Sequence, residues 1–522
     1  MPEYLPRLVD PLLVARLASF PALMMVGPRA SGKTTTALEF VRTTVRLDTP
    51  GEEAAFRADP DGALRGLEEP VLLDEWQNVP ELLGAVKRSV DGDPSPGRFV
   101  LAGSVRAELD PLGWPGTGRL LPLRMHGLTL RELTGNAYGA GLLQRITDGE
   151  ELAPPASTPD LRGYLELAAK GGFPQPAIRL SGADAEAWTR GYVDQLLTHD
   201  VGGVMGGRDS YRLHRYFTAL ASHSACVVDK KTLYGAADVD AKTANAYEHL
   251  LTNLYLLDLV PAWSVNRINR LARNPKRFLV DPSLVTATLG MSVDGVMRDK
   301  DMLGRILETF VAAQLRPELE LGERPARLYH LRAEDGRREI DLLVELGNLD
   351  VVGIEVKATA APTRRDARHL EWLRDQLGER FVTGLVLHTG SRSFRLSEKV
   401  TAAPISVLWG GSSRFFDMAP PKLRGRQETA GRTFGVAGMP LGPWGPVRYR
   451  MGDLEVGTIV RLNTELAKNI AAFDLTGAES IEVLGHGGGA LRWSLVRTND
   501  GRDIRVIDED LEPALLSLEG ER

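Results

Sequence analysis

Residues 27–34 read Gly-Pro-Arg-Ala-Ser-Gly-Lys-Thr. A glycine, four residues and then Gly-Lys-Thr is the spacing of a phosphate-binding loop. Such a loop constrains the fold strongly, because it works only between a strand and a helix. Its backbone N–H groups turn inward at a helix N-terminus, where the dipole favours anions. Both flanks are present: the apolar run Ala-Leu-Met-Met-Val at 22–26 precedes the loop, and a helical stretch at 35–41 follows it. In that setting Gly27, Pro28, Arg29, Ala30, Ser31, Gly32, Lys33, Thr34 and Thr35 would surround the phosphates of ATP. Lys33 would reach the β- and γ-phosphates, and the Thr34 hydroxyl would ligate Mg2+. For Arg29 a solvated position is the alternative.

The stretches 22–26, 71–73 and 99–102 are apolar without polar alternation, a shorter candidate strand at 45–47 carries Arg46, and amphipathic segments separate them. This is the signature of an α/β fold whose parallel sheet is buried on both faces. Leu72-Leu73-Asp74-Glu75 ends one of these strands in two acids. Asp74 is expected to hold the hydration shell of Mg2+, and Glu75 to polarise water for attack on the γ-phosphate. The next strand ends in Gly103-Ser104, where Ser104 is placed to sense that phosphate. Arg119 has two readings: it neutralises transition-state charge in its own or a neighbouring subunit of a homo-oligomer, or it forms a surface ion pair.

With 522 residues the chain has room for several domains, and 43% apolar with 25% charged residues is a globular composition. A net charge of −6 excludes a chain-wide positive field, so any contact with nucleic acid needs a local patch. The single cysteine, Cys226, cannot form an internal disulfide. Residues 1–7 lack a signal-peptide pattern, and no apolar run approaches the ~20 residues of a membrane span. A cytoplasmic protein is the expectation.

Composition and pattern divide the chain into an ATPase domain at 1–133, a helical lid or connector at 134–207 and a helical segment at 208–300. A mixed α/β domain at 301–416, a Pro/Gly-rich linker at 417–446 and a small β-rich module at 447–522 follow. Asn499-Asp500-Gly501 in the last module is a good hairpin turn, but no chemistry is assigned to that module.

From 208 to 277 eleven basic residues face six acidic ones within an acidic chain. Residues 231–257 read as two helices with a turn near 238–240, and the second carries Lys242, Thr243 and Asn245 early. Recognition helices place such residues at base edges. Most of the charge lies at 267–277, which suits phosphate contacts better than base reading. A solvated basic face is the alternative.

Glu308, Asp341, Glu355 and Lys357 form the second chemical pattern. Glu355 and Lys357 are two apart on a predicted strand and share a face. Asp341 lies on the preceding strand across a turn near Gly347-Asn348, and Glu308 flanks the apolar stripe of a helix near 303–315. Carboxylates so placed gather Mg2+ or Mn2+ through oxygen. Asp341 and Glu355 are the expected ligands, and Lys357 would position the attacking water or stabilise developing charge. Charges on the surface of a hairpin are the bland reading.

Taken together, the motifs resemble those of prokaryotic AAA-type ATP-binding proteins that carry a C-terminal domain of unknown function with nuclease-like character. The resemblance rests on residues 27–34, Leu-Asp-Thr-Pro at 47–50, Leu-Leu-Asp-Glu-Trp-Gln-Asn-Val-Pro at 72–80, Val-Leu-Ala-Gly-Ser at 100–104, Gly-Gly-Phe-Pro at 171–174 and Asn-Pro-Lys at 274–276. It covers roughly residues 1–410; the family's usual Thr before Gly-Ser is Ala102 here. It implies a winged-helix-like unit at 208–300. The carboxylate–lysine set is similar to that of PD-(D/E)xK nucleases, with Ile340 where their proline usually stands. An ATPase coupled to DNA binding or cleavage is the function implied. A nucleotide-switched regulator, or a protein-remodelling ATPase with a silent nuclease-like fold and a protein partner, is the alternative.

Overall fold

The computed structural model describes residues 4–103, 118–200, 210–271, 273–322, 325–333 and 336–410, together with five strands between 459 and 518. The first sheet contains β1 (Ala22–Val26), β2 (Thr43–Arg46), β3 (Val71–Asp74), β4 (Phe99–Ala102) and β5 (Leu120–Arg124). Its order is β2-β3-β4-β1-β5, and every pairing is parallel. All residues of β1, β3 and β4 are buried. Alternation along each strand feeds two cores. Leu23, Met25, Leu72 and Val100 pack with Leu13, Leu17 and Phe40 on one face. Met24, Leu73 and Leu101 pack with Trp76, Leu83 and Val86 on the other. Because the strands are parallel, their C-terminal ends share one edge, where the phosphate loop and Asp74 emerge.

The helices Leu161–Lys170 and Gly182–Gln195 follow, then Ser210–Ser222, Lys230–Ala237 and Ala241–Asn253. An antiparallel hairpin of β6 (Leu257–Val260) and β7 (Lys276–Leu279) comes next. Asp240 caps the helix Ala241–Asn253 by accepting from the N–H groups of Lys242 and Thr243.

The third part begins with the helix Lys300–Leu315. Then come β8 (Ala326–Ala333), β9 (Arg338–Leu346) and β10 (Val351–Lys357), the helix Arg368–Leu377, and β11 (Phe381–His388), β12 (Phe394–Ser397) and β13 (Val400–Pro404). The sheet order is β12-β13-β11-β10-β9-β8. β8, β9 and β10 form an antiparallel meander, and β11 joins β10 in parallel after the helical crossover. Leu307 and Phe310 of the first helix cluster with Val344, Val352 and Ile354 on one face. Leu370 and Leu373 of the second cluster with Leu343, Phe381 and Val386 on the other. Gly384 permits that approach: a Cβ there would lie 3.2 Å from Cβ of Leu370.

Residues 426–522 form a separate unit. Its strands β14 (Ile459–Leu462), β15 (Ser480–Gly487), β16 (Trp493–Thr498), β17 (Asp503–Ile507) and β18 (Leu515–Leu518) make an antiparallel sheet in the order β17-β16-β15-β14-β18. β16 and β17 flank the expected turn with Arg497 opposite Asp503, while Asn499-Asp500-Gly501 itself lies outside the described residues, as does the 417–446 segment. Among the described residues no helix is long and apolar enough to cross a membrane.

A buried ion network fastens the first sheet to the later parts. Arg124, the last residue of β5, donates to Asp258 of β6 at 2.7 Å, and Arg316 meets the other oxygen of the same carboxylate at 2.7 Å. Arg131 pairs with Glu318 at 2.7 Å, both nearly inaccessible. Burial alone would raise the carboxyl pKa of Asp258, but Arg124 and Arg316 outweigh it and hold the group below the usual carboxylate range. The stabilisation is therefore present above the ordinary Asp pKa of about 3.9 and is lost as pH falls through the depressed folded value. Asp258→Ala strands the buried Arg316 and the partly buried Arg124 and should cost about 3 kcal/mol, read as a lower midpoint in urea unfolding of the full chain at neutral pH.

Candidate nucleotide site and carboxylate cluster

The loop owes its shape to three residues in left-handed or glycine-favouring backbone: Gly27 (φ 152°), Ala30 (φ 57°) and Gly32 (φ 95°). A Cβ on Gly27 would come within 2.2 Å of the Met125 carbonyl oxygen, so only glycine lets β5 lie this close. Lys33 is 8% exposed, and its ammonium donates to the carbonyls of Gly27 at 3.0 Å and Pro28 at 2.8 Å. Burial pushes its pKa down to about 8, against the opposing pull of Glu75 and Asp74. Ser31 Oγ donates to the Pro28 carbonyl at 2.8 Å. Arg29 and Thr35 stand exposed.

Thr34 Oγ1 donates to Asp74 Oδ1 at 2.9 Å, joining the loop to the end of β3. Burial raises the Asp74 pKa, and the Thr34 hydrogen bond works against that shift. Glu75 follows in left-handed backbone, φ 53° and ψ 42°, and Gln77 Nε2 donates to its Oε2. A cleft of about 910 Å³ opens here, lined by Arg29, Asp48, Glu75, Gln77, Trp188 and Tyr192. Trp188 and Tyr192, on the helix Gly182–Gln195, stack at 5.3 Å, and the Tyr192 hydroxyl donates to the Arg29 carbonyl at 3.2 Å. A hydroxyl beside a carboxylate is a hard-oxygen donor pair, which suits Mg2+.

Two further positions stand differently. β4 lies between β1 and β3 and delivers Gly103 to the same edge, but Ser104 is outside the described residues. Arg119 precedes Leu120, which is in register with Ala22 at the start of β1. It is thus a strand's length, on the order of 15 Å, from the loop edge. There it pairs with Asp91 at 2.8 Å. The expectation that Arg119 serves the nucleotide of its own subunit is corrected: parallel register puts it at the wrong end of the sheet.

Arg7 was not anticipated. It is 5% exposed and braces the loop from behind. Nη1 donates to the Ser31 carbonyl at 3.0 Å, Nη2 to the His126 carbonyl at 2.8 Å, and Nε pairs with Glu132 at 2.9 Å. A lone arginine 24 positions before Ser31 carries no local signal.

In the C-terminal part the four expected residues converge. Lys357 Nζ lies 2.7 Å from Glu355 Oε2 and 3.9 Å from Asp341 Oδ2. Asp341 Oδ2 also accepts from Val356 N at 2.8 Å. Two neighbours were not foreseen in this role. His369 Nδ1 stands 3.6 Å from Glu355 Oε1. Lys276 Nζ contacts the Glu308 carboxylate, 3.8 Å from Asp341 Oδ1 and 3.3 Å from the Asp341 carbonyl. Burial alone would lower the Lys276 pKa, and it pushes the Glu308 carboxyl up to about 8 against the pull of Lys276; Glu308 and Asp341 together hold the ammonium charged. Beside the expected Lys357, a second ammonium, that of Lys276, therefore shares the carboxylates expected to gather Mg2+ or Mn2+, and Glu355 Oε1 is buried without a hydrogen-bond partner.

The basic stretch at 267–277 is corrected in part as a phosphate-contact surface. Lys276 and Arg277 are 2% and 1% exposed, and Arg277 pairs with Glu248 at 2.7 Å. Arg270 pairs with Glu345 at 2.7 Å. Much of the local positive charge is thus neutralised inside the fold.

Residues 19–134 match the family model described as an AAA domain. The N-terminal domain is an ATPase-like P-loop domain. Residues 161–294 and 303–408 match two further models, each described as a domain of unknown function (DUF8612 and DUF4143). Neither description contains a nuclease. The uncharacterized proteins Rv2008c of Mycobacterium tuberculosis and Mb2031c of Mycobacterium bovis are each 27% identical over 397 residues, 75% of this chain and 82% of theirs. Among solved structures, the Walker-type ATPase PABY2304 of Pyrococcus abyssi is similar over 55% of this chain and 96% of its own, at TM-score 0.35 and 12% identity. The Orc1 protein of Aeropyrum pernix, solved in complex with DNA, is similar over 57% and 96%, at TM-score 0.22 and 14% identity.

An anion beside Lys33 restores the charged state that burial disfavours. Nucleotide binding at about pH 9 should therefore take up a fraction of a proton, fading below about pH 8, where the free lysine is already protonated. Titration calorimetry of ATP in buffers of different ionisation enthalpy measures the uptake, and an uptake that does not change between about pH 7 and about pH 9 would remove Lys33 as its source.

Proposed function

We propose that the protein binds ATP with Mg2+ at residues 27–35 and Asp74, hydrolyses it with Glu75 as general base, and uses the nucleotide state to act on a DNA-binding, nuclease-like C-terminal half. The observation that carries the reading is the convergence of Lys33, Thr34, Asp74 and Glu75 at one edge of the parallel sheet. Lys33 would exchange the Gly27 and Pro28 carbonyls for phosphate oxygens. Thr34 and Asp74 would hold the cation, which when bound shields phosphate charge. Glu75, steadied by Gln77, would take the proton of the attacking water. The Trp188–Tyr192 pair lines the cleft and would help to exclude bulk water.

Support for the second half is architectural. Three helices followed by the β6–β7 hairpin have the order of a winged-helix unit, with Lys242 exposed at the start of the third helix. The helix, three-stranded meander, crossover helix and parallel strand of 300–388 hold Asp341, Glu355 and Lys357 together, similar to the PD-(D/E)xK arrangement. One observation favours a second reading, a nucleotide-switched binding protein whose nuclease-like fold is silent: the buried Lys276 within the carboxylate cluster.

Turnover by the full chain with Mg2+, with and without DNA, tests the proposal. Lys33→Ala should abolish ATP binding. Glu75→Gln should retain binding and lose about 10²–10⁴-fold in turnover. Unchanged turnover in Glu75→Gln would remove that residue from the reaction. DNA-stimulated turnover supports coupling, and turnover indifferent to DNA at low salt, without DNA binding, refutes it.

A further inference from the structure

We infer that the Lys276 ammonium is the resident cation of the carboxylate cluster around Asp341, and that this site holds an internal positive charge in place of a divalent metal. The inference rests on the nuclease-like reading of residues 301–416, since only that reading assigns the cluster a metal.

Lys276 is the first residue of β7 and comes from outside the sheet that carries Asp341 and Glu355. Its side chain is 2% exposed. The next residue, Arg277, fixes the β6–β7 hairpin through its buried pair with Glu248. On the opposite strand, Asp258 is tied to Arg124 and Arg316. The ammonium reaches the Glu308 carboxylate and both a carboxylate and a carbonyl oxygen of Asp341. Lys357 takes Glu355 and the other Asp341 oxygen, and His369 faces the remaining Glu355 oxygen.

Three carboxylates thus meet two ammonium groups and an imidazole. Lys276, Lys357 and the Val356 N–H engage several of the oxygens that a hard cation would use, while Glu355 Oε1 is buried without a hydrogen-bond partner, 3.6 Å from His369 Nδ1. A divalent ion entering the cluster would stand against the Lys276 charge in a site with little solvent to screen it. Among the described residues, no group of three or more His, Cys, Asp or Glu side chains is arranged to hold a metal ion. Removing Lys276 inverts the situation, because it leaves the buried Glu308 carboxylate without its counter-ion and vacates the position between Glu308 and Asp341.

The test uses the nucleotide-free full chain and Mn2+. Titration calorimetry should give the same Mn2+ binding for the wild type and Asp341→Asn. Lys276→Met should unfold at a lower temperature than the wild type. Saturating Mn2+ should raise its midpoint by about 2–4 °C or more, and Asp341→Asn added to it should abolish that response. Wild-type Mn2+ binding that disappears in Asp341→Asn would overturn the inference, as would a folded Lys276→Met variant indifferent to Mn2+. If Lys276→Met does not fold, the comparison of wild type with Asp341→Asn decides alone. DNA binding by the wild type is followed in parallel, so that failure of the nuclease-like reading registers separately from failure of the lysine assignment.

Discussion

The hydrogen bond from Thr34 to Asp74 depends on a sheet that brings two distant segments to one edge. It joins the helix after β1 to the end of β3 although β4 lies between those strands. The link can form because all three strands run parallel and are buried throughout, so their C-terminal ends finish at the same level. A shift of one residue in any of them would turn the apolar set of that strand to the other face. It would also move Lys33 or Asp74 along the edge. The apolar packing of two cores is therefore what sets the spacing of the polar groups.

The same logic of fixed register extends beyond the first sheet. β5 passes so close to the loop that Gly27 must be glycine, and the last residue of β5 is Arg124. Arg124 shares Asp258 with Arg316, and Asp258 belongs to the hairpin whose other strand begins with Lys276. A continuous set of packed, ion-paired elements thus runs from the back of the phosphate loop to the carboxylate cluster. Continuity alone is not coupling. The hairpin touches both ends, alongside the direct link from Arg131 and Leu130 to Glu318 and Gln314.

What was legible in the sequence follows from range. The phosphate loop, Asp74-Glu75, and the strands at 22–26, 71–74 and 99–102 announce themselves because their patterns are contiguous and fully buried. β5, β8, β12 and β18, each at the edge of its sheet, went unanticipated, as did the two-stranded β6–β7 hairpin and the short inner strand β13. An edge strand needs only one partner and tolerates residues that an inner strand would not, such as Pro122 in β5 or the exposed Phe394 and Arg395 in β12. Their sequences therefore lack the apolar run by which inner strands are recognised. Arg7 and His369 were missed for another reason. Each acts across a long sequence separation on groups whose position only the fold defines, so nothing beside them in the chain marks their role.

Lys276 shows how the two kinds of information combine. Its neighbours Arg273 and Arg277 make the stretch read as a basic surface, and by charge count alone it is one. β pairing decides otherwise: Lys276 and Arg277 both lie in a strand buried throughout, so each must find an acid. Arg277 finds Glu248 toward the helical segment, and Lys276 finds Glu308 and Asp341 toward the mixed sheet. Two adjacent cations, sent to opposite faces by the period of a strand, bind two neighbouring domains at once. The carboxylates that look like a metal site in sequence thus also serve as counter-charges for a lysine that the chain could not otherwise afford to bury.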